Sequence, residues 1–291
     1  MEPDYIRLKD IKPVLAGYIA ESQDLIKKAP IPDEVAVHDI RVLMKKARAT
    51  VRLLESQVVD ELFTKENDSY REIGRLMTIS RETSVQRKTL KLLKKENRVL
   101  FNRLQENIRV MSLLEKPEIS ETESEQKKAE LLNELLVKAA SRLRFYNLDN
   151  LDAQILLRQL EATYTITSDY YLKCRINPKP DALHELRKRA KDFLYQLYFF
   201  RPLNPSLIKD LEKRLDSLTQ NLGKYNDLTQ IMKLIEYKYG SRENSDGLNE
   251  LAVIIRNKQD EYLIKVWPLA YKIFCPGNKL VNLLGFKLLM I

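Results

Sequence analysis

The chain has 291 residues, 44% of them hydrophobic and 31% charged, a balance that describes a folded globular protein and excludes an intrinsically disordered one. With 50 lysines and arginines against 41 acids the net charge is +9. That excess points to a polyanionic partner such as nucleic acid, an anionic membrane face or a phosphate polymer, and says nothing about fold. Seven glycines and eleven prolines leave few strand or hairpin signals, and helical periodicity runs nearly end to end. It predicts helices over roughly 5–28, 33–57, 67–80, 82–115, 125–146, 150–174, 181–200, 205–221, 224–238 and 247–275. Breaks are marked by "APIPD", "NPKPD" and "RPLNPS". The acidic stretch "EKPEISETESEQKK" reads as a connector between halves, and the terminal "LVNLLGFKLLMI" as a helix docked on the core. That segment is too short to span a bilayer, and "MEPDYIRLKD" carries no leader pattern. Cys174 and Cys275 stand alone without metal-type spacing, which suits a reducing compartment. The expectation is a cytoplasmic protein that does not engage a membrane.

Only two histidines occur, and each heads a basic amphipathic segment: "HDIRVLMKKARATVRLL" from His38 and "HELRKRAKDFLYQLYFF" from His184. Sliding the chain on itself by 146 residues superimposes them, and also pairs Tyr18 with Tyr164, Ser22 with Ser168, Arg41 with Arg187 and Lys45 with Lys191. A single domain over 1–291 made of two repeats, about 1–117 and 125–291, is therefore expected. On a helical wheel His38, Arg41, Lys45, Arg48 and Arg52 share an arc of about 80°. Ile40, Leu43, Met44, Ala47, Val51 and Leu54 fill the adjacent, packing arc. In the second segment His184, Arg187, Lys188 and Lys191 share an arc of about 100° with Tyr195. Like charges three and four residues apart cost a helix a few tenths of a kcal/mol per pair. The acids Asp39, Glu185 and Asp192 largely miss these stripes, so the cost calls for a function. Planar guanidinium groups pair with phosphate oxygens in bidentate fashion, which favours phosphate as the ligand chemistry.

The two segments resemble the signature helices of the conserved histidine α-helical domain (CHAD) family. "ISRETSV" and "LGKYNDLTQ" are similar to the acid-containing motif that follows each basic helix there, although Arg81-Glu82 stands for an Arg-Asp pair and Leu194 for a frequent Arg. The resemblance implies an all-α fold, a duplicated helical bundle in which two four-helix-type bundles are related by a pseudo-two-fold around a basic groove or channel. It also implies non-catalytic binding of inorganic polyphosphate through His38, Arg41, Lys45, Arg48, Arg52 and Arg81 and through His184, Arg187, Lys188 and Lys191. Polyphosphate granules, or a separate polyphosphate or triphosphate enzyme, are the further partners expected. No cofactor, metal or catalytic residue is expected, since Gly-rich phosphate loops, His-Glu-x-x-His and Cys-x-x-Cys are missing from the sequence. "ETESE" lacks the lysine and the strand context of a triphosphate-tunnel motif. The alternative reading is a sequence-tolerant RNA or DNA binder. That would want stacking aromatics among the cations, and only Tyr195 and Tyr198 offer themselves. The further basic run at Arg87, Lys88, Lys91, Lys94, Lys95, Arg98 and Arg103 reads as the solvated face of a long helix, with extension of the groove or external polyanion binding as the alternative.

Overall fold

The computed structural model describes residues 10–28, 31–76, 78–107, 121–239 and 246–285. Among the described residues it is helical throughout, with no strand. The helices are α1 (Ile11–Lys27), α2 (Glu34–Leu54), α3 (Asp60–Leu76), α4 (Thr78–Glu96), α5 (Arg98–Asn107), α6 (Glu121–Phe145), α7 (Ala153–Ile176), α8 (Pro180–Leu197), α9 (Pro205–Tyr239), α10 (Asp246–Phe274) and the single turn α11 (Leu280–Leu283).

Local chemistry explains the starts. Asp33 caps α2, its carboxylate accepting from Ala36 N at 2.7 Å. Asp152 caps α7 by accepting from Gln154 N and Ile155 N. At the start of α8, Pro180 fills a first-turn position where its missing N–H costs nothing. The histidines therefore sit one turn inside their helices and cap neither. Four stretches depart from the sequence expectation. In place of the predicted 67–80, one helix runs over Asp60–Leu76 and the next starts at Thr78. The predicted 205–221 and 224–238 form one helix, because a lone interior glycine, Gly223, costs a helix only about 1 kcal/mol. The predicted 82–115 breaks at Asn97, whose side chain donates to Leu93 O at 3.1 Å and closes α4. "ETESE" opens α6 rather than lying in a connector. At the C-terminus Leu280 and Leu284 are buried in the core; residues 286–291 lie outside the described residues.

α1, α2, α3 and α6 pack on one another, as do α7, α8, α9 and α10, and α2 also meets α8. One apolar cluster runs through both groups, from Ile11, Ile40 and Met44 to Phe193, Phe200 and Phe274. A second cluster joins Leu90 and Leu93 of α4 and Phe101 and Leu104 of α5 to Leu228, Ile231 and Ile235 of α9 and Leu251 and Ile255 of α10. α2 and α8 are held together by the ion pair of Arg52 with Asp192 and by Gln196 Nε2 donating to the Ala49 carbonyl at 3.0 Å.

Candidate anion-binding site

The apolar arc of α2 is buried and its basic arc is turned out beside α3. Arg41, Lys45 and Arg48 line an open hollow of about 500 Å³, solvent space at its mouth included. α3 supplies the facing wall with Arg71 and Arg75, one turn apart, and with Gly74 between them; Tyr70 and Met44 form the floor. Arg41 Nη1 donates to the Gly74 carbonyl at 2.7 Å, and Arg48 Nε donates to Asn67 Oδ1 at 3.3 Å. The guanidinium of Arg48 is pushed down to about 10, first by burial and then by neighbouring Arg52 and Arg71, against the pull of Asp192 and Asp68. A cation destabilised by its surroundings gains from any anion brought beside it.

α3 is fixed from behind by a buried carboxylate. Glu66, one turn before Tyr70, pairs with Arg142 of α6 and accepts from Tyr146 Oη at 2.9 Å. Its side chain is only 2% exposed against 22% for Arg142, so solvent screens the carboxylate little. Burial, with Glu66 adding to it, pushes the Tyr70 hydroxyl well above its ordinary range and keeps the floor of the hollow uncharged.

The basic arc of α8 is built differently. Arg187 lies across α9, its Nε donating to the Thr219 carbonyl at 3.2 Å and its guanidinium against Gly223, where an added Cβ would come within 3.1 Å. Lys191 Nζ pairs with Asp216 at 3.0 Å and Lys188 Nζ with Glu185 at 2.6 Å. His184 Nδ1 lies 3.0 Å from Asn226 Oδ1, which accepts from it when that nitrogen carries the proton. Burial lowers the His184 pKa, against the Asn226 hydrogen bond and with Lys188 and Arg187 adding to the fall. Burial likewise lowers Arg187 and Lys191.

Of the residues expected from the sequence, then, Arg41, Lys45 and Arg48 share one hollow. Arg52 instead spans to Asp192 on α8. His38 is exposed near the start of α2. His184, Arg187, Lys188 and Lys191 lie along α8 with the partners named above. Arg81 sits in α4, its side chain outside the described residues. Two residues escaped sequence reasoning. Arg71 and Arg75 carry a four-residue spacing, and that spacing about Gly74 was the available signal. Asp192 was set aside because it misses the stripe of its own helix; it answers a charge on another.

These features define an all-helical protein with a compact cationic hollow between two of its helices. The CHAD domain family matches residues 18–236, about three quarters of the chain, and the protein belongs to that family. No curated protein matches the sequence. Among the described residues no helix is long and apolar enough to cross a membrane.

Proposed function

We propose that this CHAD protein binds inorganic polyphosphate and does not transform it. The observation that carries this reading is the hollow lined by Arg41, Lys45, Arg48, Arg71 and Arg75. Polyphosphate presents charge along a flexible backbone with no bases to read, so cations at helical intervals suffice for recognition. Affinity then comes from charge-assisted hydrogen bonds and release of condensed counterions. His184, Arg187, Lys188 and Lys191 of α8 form the weaker part of the grip, His38 and Arg52 flank the stronger part, and Arg81 is included on the family resemblance. Asp192, Asp216 and Glu185 serve as counter-charges to Arg52, Lys191 and Lys188 rather than as acid–base groups.

We also read the chain as a duplication, two four-helix-type bundles related by a pseudo-two-fold about a basic groove. Residues 146 apart support it. Ser22 donates to Tyr18 O as Ser168 does to Tyr164 O. Buried Glu66 and Glu212 each hold an arginine, Arg142 and Arg201. Arg41 and Arg187 each reach a carbonyl of the following helix, Gly74 and Thr219. The expected setting is the cytoplasm, at polyphosphate granules or beside a separate polyphosphate or triphosphate enzyme.

Nucleic acid is the competing ligand class. Stacking would need open aromatic faces among the cations. Tyr195 is 7% exposed, and the Tyr198 ring is covered by Arg201 at 4.3 Å and approached by Lys46 at 5.9 Å. The test is competition for fluorescent long-chain polyphosphate by single-stranded RNA, duplex DNA and heparin at matched charge and about 0.15 M salt, with phosphate release followed in parallel. Polyphosphate outcompeting the others, loss of binding in Arg41→Ala with Arg187→Ala, and no phosphate release are expected. Equal competition by all polyanions with no effect of the substitutions would overturn the reading.

A further inference from the structure

The hollow between α2 and α3 is more than a stretch of charged surface, because its shape depends on a residue that contributes no charge. Gly74 stands in mid-helix between Arg71 and Arg75, and a Cβ built there meets nothing within 4 Å. The space it leaves is the space the five cations line. At the positions 146 residues on, the α8–α9 face loses the same features one by one. Leu194 stands for Arg48, Ser217 for Arg71 and Asn221 for Arg75, while Asp216, 146 residues on from the buried Tyr70, is half exposed and pairs with Lys191. The α2–α3 face thus combines five cations, a neutral floor and an open centre in a span of α2 only about 10 Å long, from Arg41 to Arg48.

We propose that this hollow is a seat for a compact oligophosphate: a few linked phosphates, with tripolyphosphate as the simplest ligand, bind there one per chain, and Gly74 sets the size of the seat. This rests on the polyphosphate reading above and deepens it. A long polymer is then held by one segment entering the seat, with the rest of its length contributing little. Short chains therefore bind nearly as well per molecule as long ones. A uniformly charged groove behaves otherwise, since its affinity climbs with every phosphate that finds a cation.

The experiment is isothermal titration of the full chain with tripolyphosphate, ATP and long-chain polyphosphate at one salt concentration, for the native protein, Gly74→Ala, Gly74→Leu and Gly17→Leu. Gly74→Leu retains every cation and fills the centre. Gly17, exposed on α1 and also without neighbours within 4 Å, controls for a leucine added to a helix surface, and thermal melts of all four report folding. The expected result is one tripolyphosphate per chain with affinity within about tenfold of the long polymer. Gly74→Leu then weakens it by about tenfold or more, Gly74→Ala by less, and Gly17→Leu not at all. ATP binding as tightly as tripolyphosphate assigns the linked triphosphate to a nucleotide source; weaker ATP binding assigns it to bare oligophosphate. Long polymer that binds while tripolyphosphate does not, or tripolyphosphate binding indifferent to Gly74→Leu, overturns the seat and leaves the polymer reading standing. Failure of every phosphate ligand to bind the folded protein overturns both.

Discussion

The α2–α3 and α8–α9 faces began from similar sequence patterns and arrive at different electrostatics. Both carry an arginine reaching a carbonyl of the next helix and a lysine one turn further on. On α8–α9 the lysine meets Asp216, the neighbouring Lys188 meets Glu185, and Arg187 lies flat on Gly223. On α2–α3 two more arginines arrive from the opposite wall, and the buried Tyr70 lines the hollow without charge. A count of basic residues on each helix would rank the faces as near equals. What separates them is what the neighbouring helix brings: Asp216 to Lys191 in one case, and two further arginines, Arg71 and Arg75, in the other.

The comparison can be broken most directly by putting an acid into the open face. Gly74→Asp has room for its Cβ and introduces a negative charge among five positive ones. Polyphosphate affinity should fall by about tenfold or more, roughly 1.4 kcal/mol, as read by titration, with melting temperature little changed. Gln220→Asp, 146 residues on in α9, should change affinity by less than about threefold, or well under 1 kcal/mol. Equal losses from the two substitutions would erase the distinction between the faces.

A smaller effect of opposite sign is expected from Asp216→Asn, which releases Lys191. The ion pair is partly exposed, 23% on the lysine and 47% on the aspartate, so its loss should cost the fold about 0–1 kcal/mol. Polymer affinity should rise by about twofold, a few tenths of a kcal/mol, with a steeper salt dependence as one more cation becomes available to phosphate. Unchanged affinity would mean that the α8 face takes no part in binding.

The smallest effect concerns His184. Its pKa is lowered in the folded chain, chiefly by burial, so the unfolded chain binds more protons and stability falls as pH drops. The loss should begin near pH 6.5, the ordinary histidine value, and level off below the lowered folded value. Denaturant titrations between pH 8 and pH 5 should show a slope in this window that His184→Gln lacks. A slope that survives the substitution assigns the effect elsewhere. His38, exposed near the start of α2, sets no such expectation.

The all-helical class and the two basic helices were legible because both rest on local periodicity. Arg41, Lys45 and Arg48 point the same way for a reason internal to α2. The rest of the site depends on pairs of helices, which no wheel drawn on one helix reveals. Arg52 and Asp192 are 140 residues apart and meet because α2 and α8 pack together. Arg71 and Arg75 join the hollow because Glu66 locks the back of α3 onto Arg142 of α6, a link that no spacing rule contains. Gly223 falls between the expected helices 205–221 and 224–238, whereas one helix runs through it and the space it leaves is taken by the guanidinium of Arg187.

The second apolar cluster bears on how the chain comes to be folded as it is made. Leu90, Leu93, Leu100, Phe101 and Leu104 are synthesised early, yet their partners on α9 and α10 emerge more than a hundred residues later, with Leu251 and Ile255 the last of them. Until then this hydrophobic surface of α4 and α5 lacks its cover, and closing so long a loop slows the step that buries it. The family match ends at residue 236, before α10 begins. A fragment cut at that boundary would keep all five cations of the hollow and uncover apolar surface of α5, Phe101 and Leu104 among it, that packs on α10, a liability for aggregation rather than for ligand chemistry.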